Sequence, residues 1–449
     1  MILQMNTNVI AIKTPHYNSE AIADGLPAEL FGQIAPGDTV ILKPNWVKES
    51  HLRKPEEWEY VITHPAVITA VLSKVCEILE PGAKIIIADA PQTDSSFIKI
   101  LSRYPVEEWQ NQVKQKGIIL EIIDLRDDEW IQKGDVVVNR KKLAGDPLGK
   151  TEVNLLDDAS EFFGHHKSQR GYYGADYNIK ETNEAHDGRN NRYRLSRSVI
   201  EADVFINLPK LKTHKKAGIT CCLKNLVGIN TYKNFLPHHA EGGPSESGDQ
   251  FPHDSMQAKI EGPLLAFVKQ KFLHNTAMAR LLKPLSKTAR SFFGEIEHNI
   301  RSGNWYGNDT LWRMTLDLNK AFFYANPDGS MRDEKLINAK KYIGIVDAVL
   351  AGEGNGPLSP NPREMGYIFG GTNPVAIDSV CAAMMGFDPM KIPTIRNAFQ
   401  IKRYPLCNFN YADIQVAAEN HNWLLSELPK SMIIPFEPQF AWKGHIENE

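Results

Sequence analysis

An α/β fold built on a doubly wound, mostly parallel sheet is expected from three observations. The first 125 residues alternate apolar runs with segments of helical spacing, the pattern of βαβ units joined by right-handed crossovers. One run, KIIIAD at Lys84–Asp89, is hydrophobic on both faces, as a central parallel strand is. A similar run, YIGIVD, ends at Asp347 and is followed by a strand, YIFGG, and an apolar helix, so the sheet resumes late in the chain.

The elements follow in order. NVIAIKT, from Asn8, reads as a first strand, and DTVILK, Asp38–Lys43, as a second broken by Pro44. Ligand groups gather beyond the carboxyl ends of strands in open α/β sheets, which makes Lys43, Asn45, His51 and His64 candidates. A helix starts at Pro65 and keeps Val67, Ile68, Val71, Leu72, Val75 and Ile78 at helical spacing. KIIIAD ends in Asp89 and a loop of small and hydroxyl residues before a helix near Phe97. A helix over Val106–Lys116 and a strand over Ile118–Asp124 complete a first α/β part, 1–126. Residues 127–200 are polar, with short strands and His165, His166, Arg170, His186 and Arg189, and read as an extended insertion over the sheet. A central strand–turn–helix spans 201–235, a loop or lid with a helical insertion 236–340, a second α/β part completing the sheet 341–403, and a docking tail 404–449.

The chain has 449 residues, 42% hydrophobic and 23% charged, with 51 basic against 54 acidic residues, so bulk charge gives no argument for nucleic acid. The N-terminus lacks the charged start and apolar core of a signal peptide, and no stretch has the unbroken apolar length of a transmembrane helix; a cytoplasmic protein is expected. Five scattered cysteines form no CxxC pair, which speaks against a zinc ribbon or an iron–sulfur cluster. Cys221 and Cys222 read as buried small hydrophobes.

The most informative stretch is DVFINLPKLKTHKKAGITCCLKNLVGINTYKN, Asp203–Asn234. A strand ends at Pro209, a basic turn brings Lys210, Lys212, His214, Lys215 and Lys216, and a helix from Gly218 to Val227 is expected, closed by Gly228 in a left-handed cap. No Asp or Glu occurs from Val204 to Ala240, so the lysines have no local carboxylate partner. Cations beside a helix N-terminus suit phosphate or carboxylate. Lys210, Lys212 and Lys224 would hold the anion, with Asn225 beside them, and His214 would move a proton.

Further candidates lie downstream. Leu236–Asp254 is rich in Gly and Pro yet holds His238, His239, Glu241 and His253, and reads as a substrate-covering lid that offers ligands for a divalent ion without matching a metal motif. Pro263–Phe293 reads as a basic helical segment. In Asn304–Tyr324, Asp309, Arg313 and Asp317 form one helical row that, with Trp305, either pairs charges or lines the pocket. The segment after Asp347 brings Glu353, Gly354 and Gly356 as a glycine loop suited to close ligand approach. Asn373 caps a helix starting at Pro374, whose one carboxylate, Asp378, is expected to pair with a lysine of the basic turn. Asp347, Glu353 and Asp378 would position the lysines or an ion.

KPNW, LPKLKTHKKAGITCCLKNLVGIN, and D-x5-EGNGP followed by GTNPVAIDSVCAAMMGFDP resemble the uncharacterised family catalogued as domain of unknown function 362, over about Asp38–Pro393. PHHAEGGP and NWYGNDTLWR resemble a branch of it found near sugar-polymer and secondary-metabolite genes. Some members carry ferredoxin-like cysteine clusters, which this chain lacks. The resemblance implies a shared α/β fold and no settled reaction.

The sequence therefore points to an enzyme acting on an anionic, phosphorylated or carboxylated, small molecule by Lys/His acid–base chemistry. A variant of that reading uses a lysine as a carbonyl nucleophile. The alternative is a non-catalytic binding protein for anionic glycans or lipid head groups that uses Lys269–Arg290. Cofactors stay open, including a divalent metal, as does the oligomeric state.

Overall fold

The computed structural model describes residues 7–133, 136–165, 168–176, 178–255, 300–336, 340–419 and 421–448. Its central sheet has eleven strands: β1 (Asn8–Lys13), β2 (Thr39–Pro44), β3 (Lys84–Asp89), β4 (Ile119–Asp124), β5 (Val204–Leu208), β6 (Lys210–His214), β7 (Gly218–Thr220), β8 (Lys341–Asn355), β9 (Ser359–Gly371), β10 (Gln415–Ala418) and β11 (His421–Leu424). They lie in the order β11-β10-β1-β9-β8-β5-β2-β3-β4, with β6 paired to β8 and β7. The block β8-β5-β2-β3-β4 is parallel throughout. β9 runs antiparallel between β1 and β8. The fold is the expected α/β class with a mostly parallel sheet.

Period-2 alternation divides the core. Val40 and Leu42, Ile85 and Ile87, and Val204 and Ile206 face one layer, with Val67, Val71 and Val75 of α1 (Pro65–Ile78) and Trp109 of α2 (Val106–Gln115). Ile41, Ile86 and Phe205 face the other, which contains α4 (Leu311–Tyr324) and α5 (Pro374–Met384). Helices on both faces explain why these strands are apolar on both sides.

Three expectations change. The run after YIGIVD is not a glycine loop: β8 continues to Asn355, because β9 supplies backbone partners such as Glu353↔Asn361 and Asn355↔Ser359. The tail is more than a docking segment, since β10 pairs in parallel with β1 and extends the sheet. Leu236–Asp254 is not structureless. Pro237–Ala240 pairs with Tyr172–Gly174, and the buried Asp249 carboxylate accepts from the backbone N–H of Ala240, Asp309 and Thr310. The basic segment Pro263–Phe293 lies outside the described residues. Among the described residues no helix is long and apolar enough to cross a membrane.

Candidate functional site

The central stretch folds differently from the expected strand–turn–helix. After β5, Pro209 ends the run and the chain re-enters the sheet as β6. Gly218, at φ +80, turns it back into β7, so that Lys212 pairs with Thr220 and His214 with Gly218. The pairing uses the backbone that a helix from Gly218 would have needed. Only α3 (Cys222–Asn225) is helical, followed by a 3₁₀ turn to Ile229. Gly228 is not a left-handed cap. A Cβ there would collide with the Asp89 carboxylate and the Lys43 ammonium, so glycine serves close packing.

Nor does the start of α3 offer its N–H groups to a ligand. Asp378 occupies them, accepting from Cys222 N at 2.7 Å and Leu223 N at 3.1 Å. It makes no ion pair with a lysine of the turn, which corrects that expectation. A carboxylate receiving two backbone N–H groups at a helix start needs no cation to be satisfied. Burial raises its pKa to about 7.

Above the carboxyl ends of β2, β3 and β6 lies a cavity of about 480 Å³, the size of a small-molecule site. Its wall includes Lys43, Asn45, Asp89, Lys212, His214, Lys224, Asn225, His238 and His239 from the expected set. It also includes Lys48, Lys215, Lys216, Thr220 and Lys233. The insertion supplies Trp130, Tyr173 and Asp176, and the β8–β9 turn supplies Pro357 and Leu358.

Some of these ammonium groups already have partners. Lys43 pairs with Asp89 at 2.7 Å, and Lys48 with Asp94 at 2.8 Å. Lys212 donates to Asn45 Oδ1 at 3.0 Å and to the Val61 carbonyl. Asn45 donates in turn to Asn225 Oδ1 at 2.9 Å, and Asn225 to Asn207 Oδ1 at 2.7 Å, which ties the amides into one network. Lys233 donates to the carbonyls of Ala90 and Asn230, at 2.8 and 3.3 Å. Among the described residues the ammonium groups of Lys215 and Lys224 have no hydrogen-bond or ion-pair partner. The Thr220 hydroxyl is likewise buried without one.

The electrostatics follow. Burial, then Lys233 and Lys43, lower the Lys224 pKa to about 7. Burial lowers Lys233 to about 8 against the pull of Asp89 and Asp176. Lys212 falls well below the lysine range through burial, Lys210 and Lys224. Burial and then Lys224 hold His214 neutral, and burial and then Lys216 do so for His238. The two rings differ in tautomer. His214 Nδ1 accepts from Lys216 N and Ala217 N, which leaves the proton on Nε2. His238 Nδ1 donates to the Leu236 carbonyl at 2.9 Å, which leaves Nε2 as an acceptor. The cavity thus joins unpartnered cations, a neutral donor imidazole and a neutral acceptor imidazole.

Several expected residues lie elsewhere. Lys210 is fully buried against Asp347 at 2.5 Å, with Tyr17 OH at 2.8 Å, in a structural pair. Trp305 donates to the Asp249 carbonyl, and Arg313 pairs with Asp309 at 2.9 Å; neither lines the cavity. The expected row stops there, because Asp317 accepts instead from Ser160 Oγ at 2.5 Å and Glu161 N at 2.7 Å. Glu353 accepts from Glu437 N, while Gly354 and Gly356 shape the β8–β9 turn, Gly356 lying against the Thr213 carbonyl. His51 bonds to the Pro360 carbonyl at 3.1 Å, and His64 stacks on Tyr17 and caps α1. His253 is exposed. Among the described residues the one grouping of three or more His, Cys, Asp and Glu ligand atoms within 4.8 Å of one another is Cys221, Cys222 and Asp378, and it includes no histidine of the 236–254 segment. Burial keeps both thiols protonated, in line with their reading as core residues.

Lys233 and Asp176 were not singled out from sequence. Lys233 falls in the acid-free run, a signal that was available. Asp176 is partly buried, accepts from Thr93 at 2.6 Å and is raised by burial to about 6; nothing in its own segment marks it.

The family model described as "Domain of unknown function (DUF362)" matches residues 171–383. A thylakoid-associated protein of Synechocystis sp. is 25% identical over 205 residues, 46% of this chain and 39% of that protein. The match thus spans about two fifths of the relative's length. Lys212 to Lys224, Lys233, His238 and His239 all lie inside the matched region, whereas Lys43, Asn45 and Asp89 precede it. Over residues 171–383 the chain is thus similar to the family of that model.

Proposed function

We propose that the protein is an enzyme acting on an anionic small molecule, phosphorylated or carboxylated, held in this cavity. The observation that carries the reading is the pair of lysines, Lys215 and Lys224, that line the wall without a partner among the described residues. A desolvated cation without a counter-ion is costly, and a bound anion removes that cost. Lys216 and Lys233 add charge to the same wall. His238 Nε2 is the acid–base group, since its ring is neutral and its Nδ1 proton is committed to the Leu236 carbonyl, which leaves the Nε2 lone pair to take up a proton in transit. A volume of about 480 Å³ fits a metabolite rather than a polymer, which favours this reading over a glycan-binding surface. A cytoplasmic location and a sugar-derived substrate complete the proposal.

Native mass spectrometry of the purified protein, followed by metabolite identification after denaturation, tests it. A co-purifying anionic compound lost in the Lys215→Ala/Lys224→Ala double variant supports the reading. Retention of the same compound in that variant contradicts it.

A further inference from the structure

Lys224 and Lys215 differ from the other lysines of the wall. Lys43 is bound to a carboxylate, Lys212 and Lys233 to carbonyls, and Lys216 lies 3.4 Å from His239 Nδ1. Lys224 is carried on a four-residue helix whose first N–H groups are pinned by Asp378, so its backbone is fixed while its amine is not. It shares the cavity with His214, whose Nε2 carries a proton, and with His238, whose Nε2 accepts one.

From this geometry we infer that Lys224 is an imine-forming lysine and that the substrate is a small carbonyl compound bearing a phosphate or carboxylate group. The inference rests on the anion-site reading above. The amine attacks the carbonyl carbon, a C–N bond forms and the carbonyl π electrons move onto oxygen. His238 Nε2 takes a proton from nitrogen and passes it to that oxygen, giving a carbinolamine. The same nitrogen relays the second amine proton, the C–O bond breaks, water leaves and a C=N bond remains. His214 Nε2–H donates a hydrogen bond to the oxygen while it carries charge. Lys215, Lys216 and Lys233 hold the anionic group. Burial and nearby cations activate such a lysine by keeping part of it neutral, and here burial, then Lys233 and Lys43, lower Lys224 to about 7. The charged and titratable groups facing it are Lys43, Lys212, His214, Lys233 and His238.

Pyridoxal 5′-phosphate, an aldehyde carrying a phosphate, is a suitable probe. The full chain is treated with it at or below one equivalent, reduced with borohydride and mapped by peptide mass spectrometry, with and without excess pyrophosphate. The expected result is a label concentrated on Lys224, rising with pH through about 7 and prevented by pyrophosphate. Lys224→Arg, which keeps the charge, should lose the label while pyrophosphate still raises its melting temperature. A label spread over surface lysines with Lys224 unmodified overturns the inference. If pyrophosphate still raises the melting temperature of the wild-type protein in that case, the anion site stands alone; if it does not, the anion site falls as well. The wild-type peptide map needs no variant, so misfolding of Lys224→Arg leaves the test intact.

Discussion

Asp378 fixes the helix that delivers Lys224 without touching its ammonium: its carboxylate receives Cys222 N and Leu223 N, the first N–H groups of Cys222–Asn225. Removing it strands two buried donors, so Asp378→Ala should cost about 2–4 kcal/mol in denaturant unfolding. Because the two side chains are not an ion pair, Lys224→Ala should not rescue it, and the double variant should be additive within about 0.5 kcal/mol. A large positive coupling would contradict this arrangement.

Lys210 and Asp347 form the structural pair instead, both fully buried. Lys210→Ala leaves Asp347 with Tyr17 OH and His64 N but no cation. A loss of about 3–5 kcal/mol is expected. The affinity for pyrophosphate per folded molecule should stay unchanged, since Lys210 does not line the cavity.

The stability of the free protein should rise with pH above neutrality. Lys224 has a folded pKa of about 7, below the ordinary 10.5, so between those values the unfolded chain binds more protons. The penalty is full below about pH 7 and fades as pH climbs toward the ordinary lysine value. Lys224→Met removes it, and should stabilise the protein at pH 7 by on the order of 2–4 kcal/mol, a gap that closes toward pH 10. Thermal melts across that range check the sign; a gap that widens with pH would contradict it.

Gly228→Ala places a methyl group against the Asp89 carboxylate and the Lys43 ammonium. An overpacking cost of about 1–3 kcal/mol is expected, together with weaker pyrophosphate binding, because that pair forms part of the cavity wall. Equal stability and affinity would show that the wall yields without loss.

The α/β class was legible because strands buried on both faces carry an unbroken apolar signature, as in KIIIAD, which became Lys84–Asp89 without change. The cationic wall was legible in part, because the absence of acid from Val204 to Ala240 is a sequence fact. What eluded sequence were partnerships between distant segments. Gly218–Thr220 reads as the start of a helix until Lys212 and His214 claim it as a strand. Lys210 and Lys212 look equivalent two residues apart, yet the register shifts between them, and one meets Asp347 while the other meets Asn45. Asp378 needed a cation only if no backbone N–H groups reached it.

The central claim is that the unpartnered lysines make an anion site. Titration calorimetry with pyrophosphate at pH 8, in two buffers of different ionisation enthalpy, tests it most directly. Binding of an anion favours the charged forms of Lys224 and Lys233, whose pKa values lie at about 7 and about 8, so protons should be taken up from the buffer. Affinity should weaken as pH rises further, and should fall at least tenfold in Lys215→Ala/Lys224→Ala. Absence of binding heat, or binding without proton uptake that survives loss of both lysines, would contradict the account.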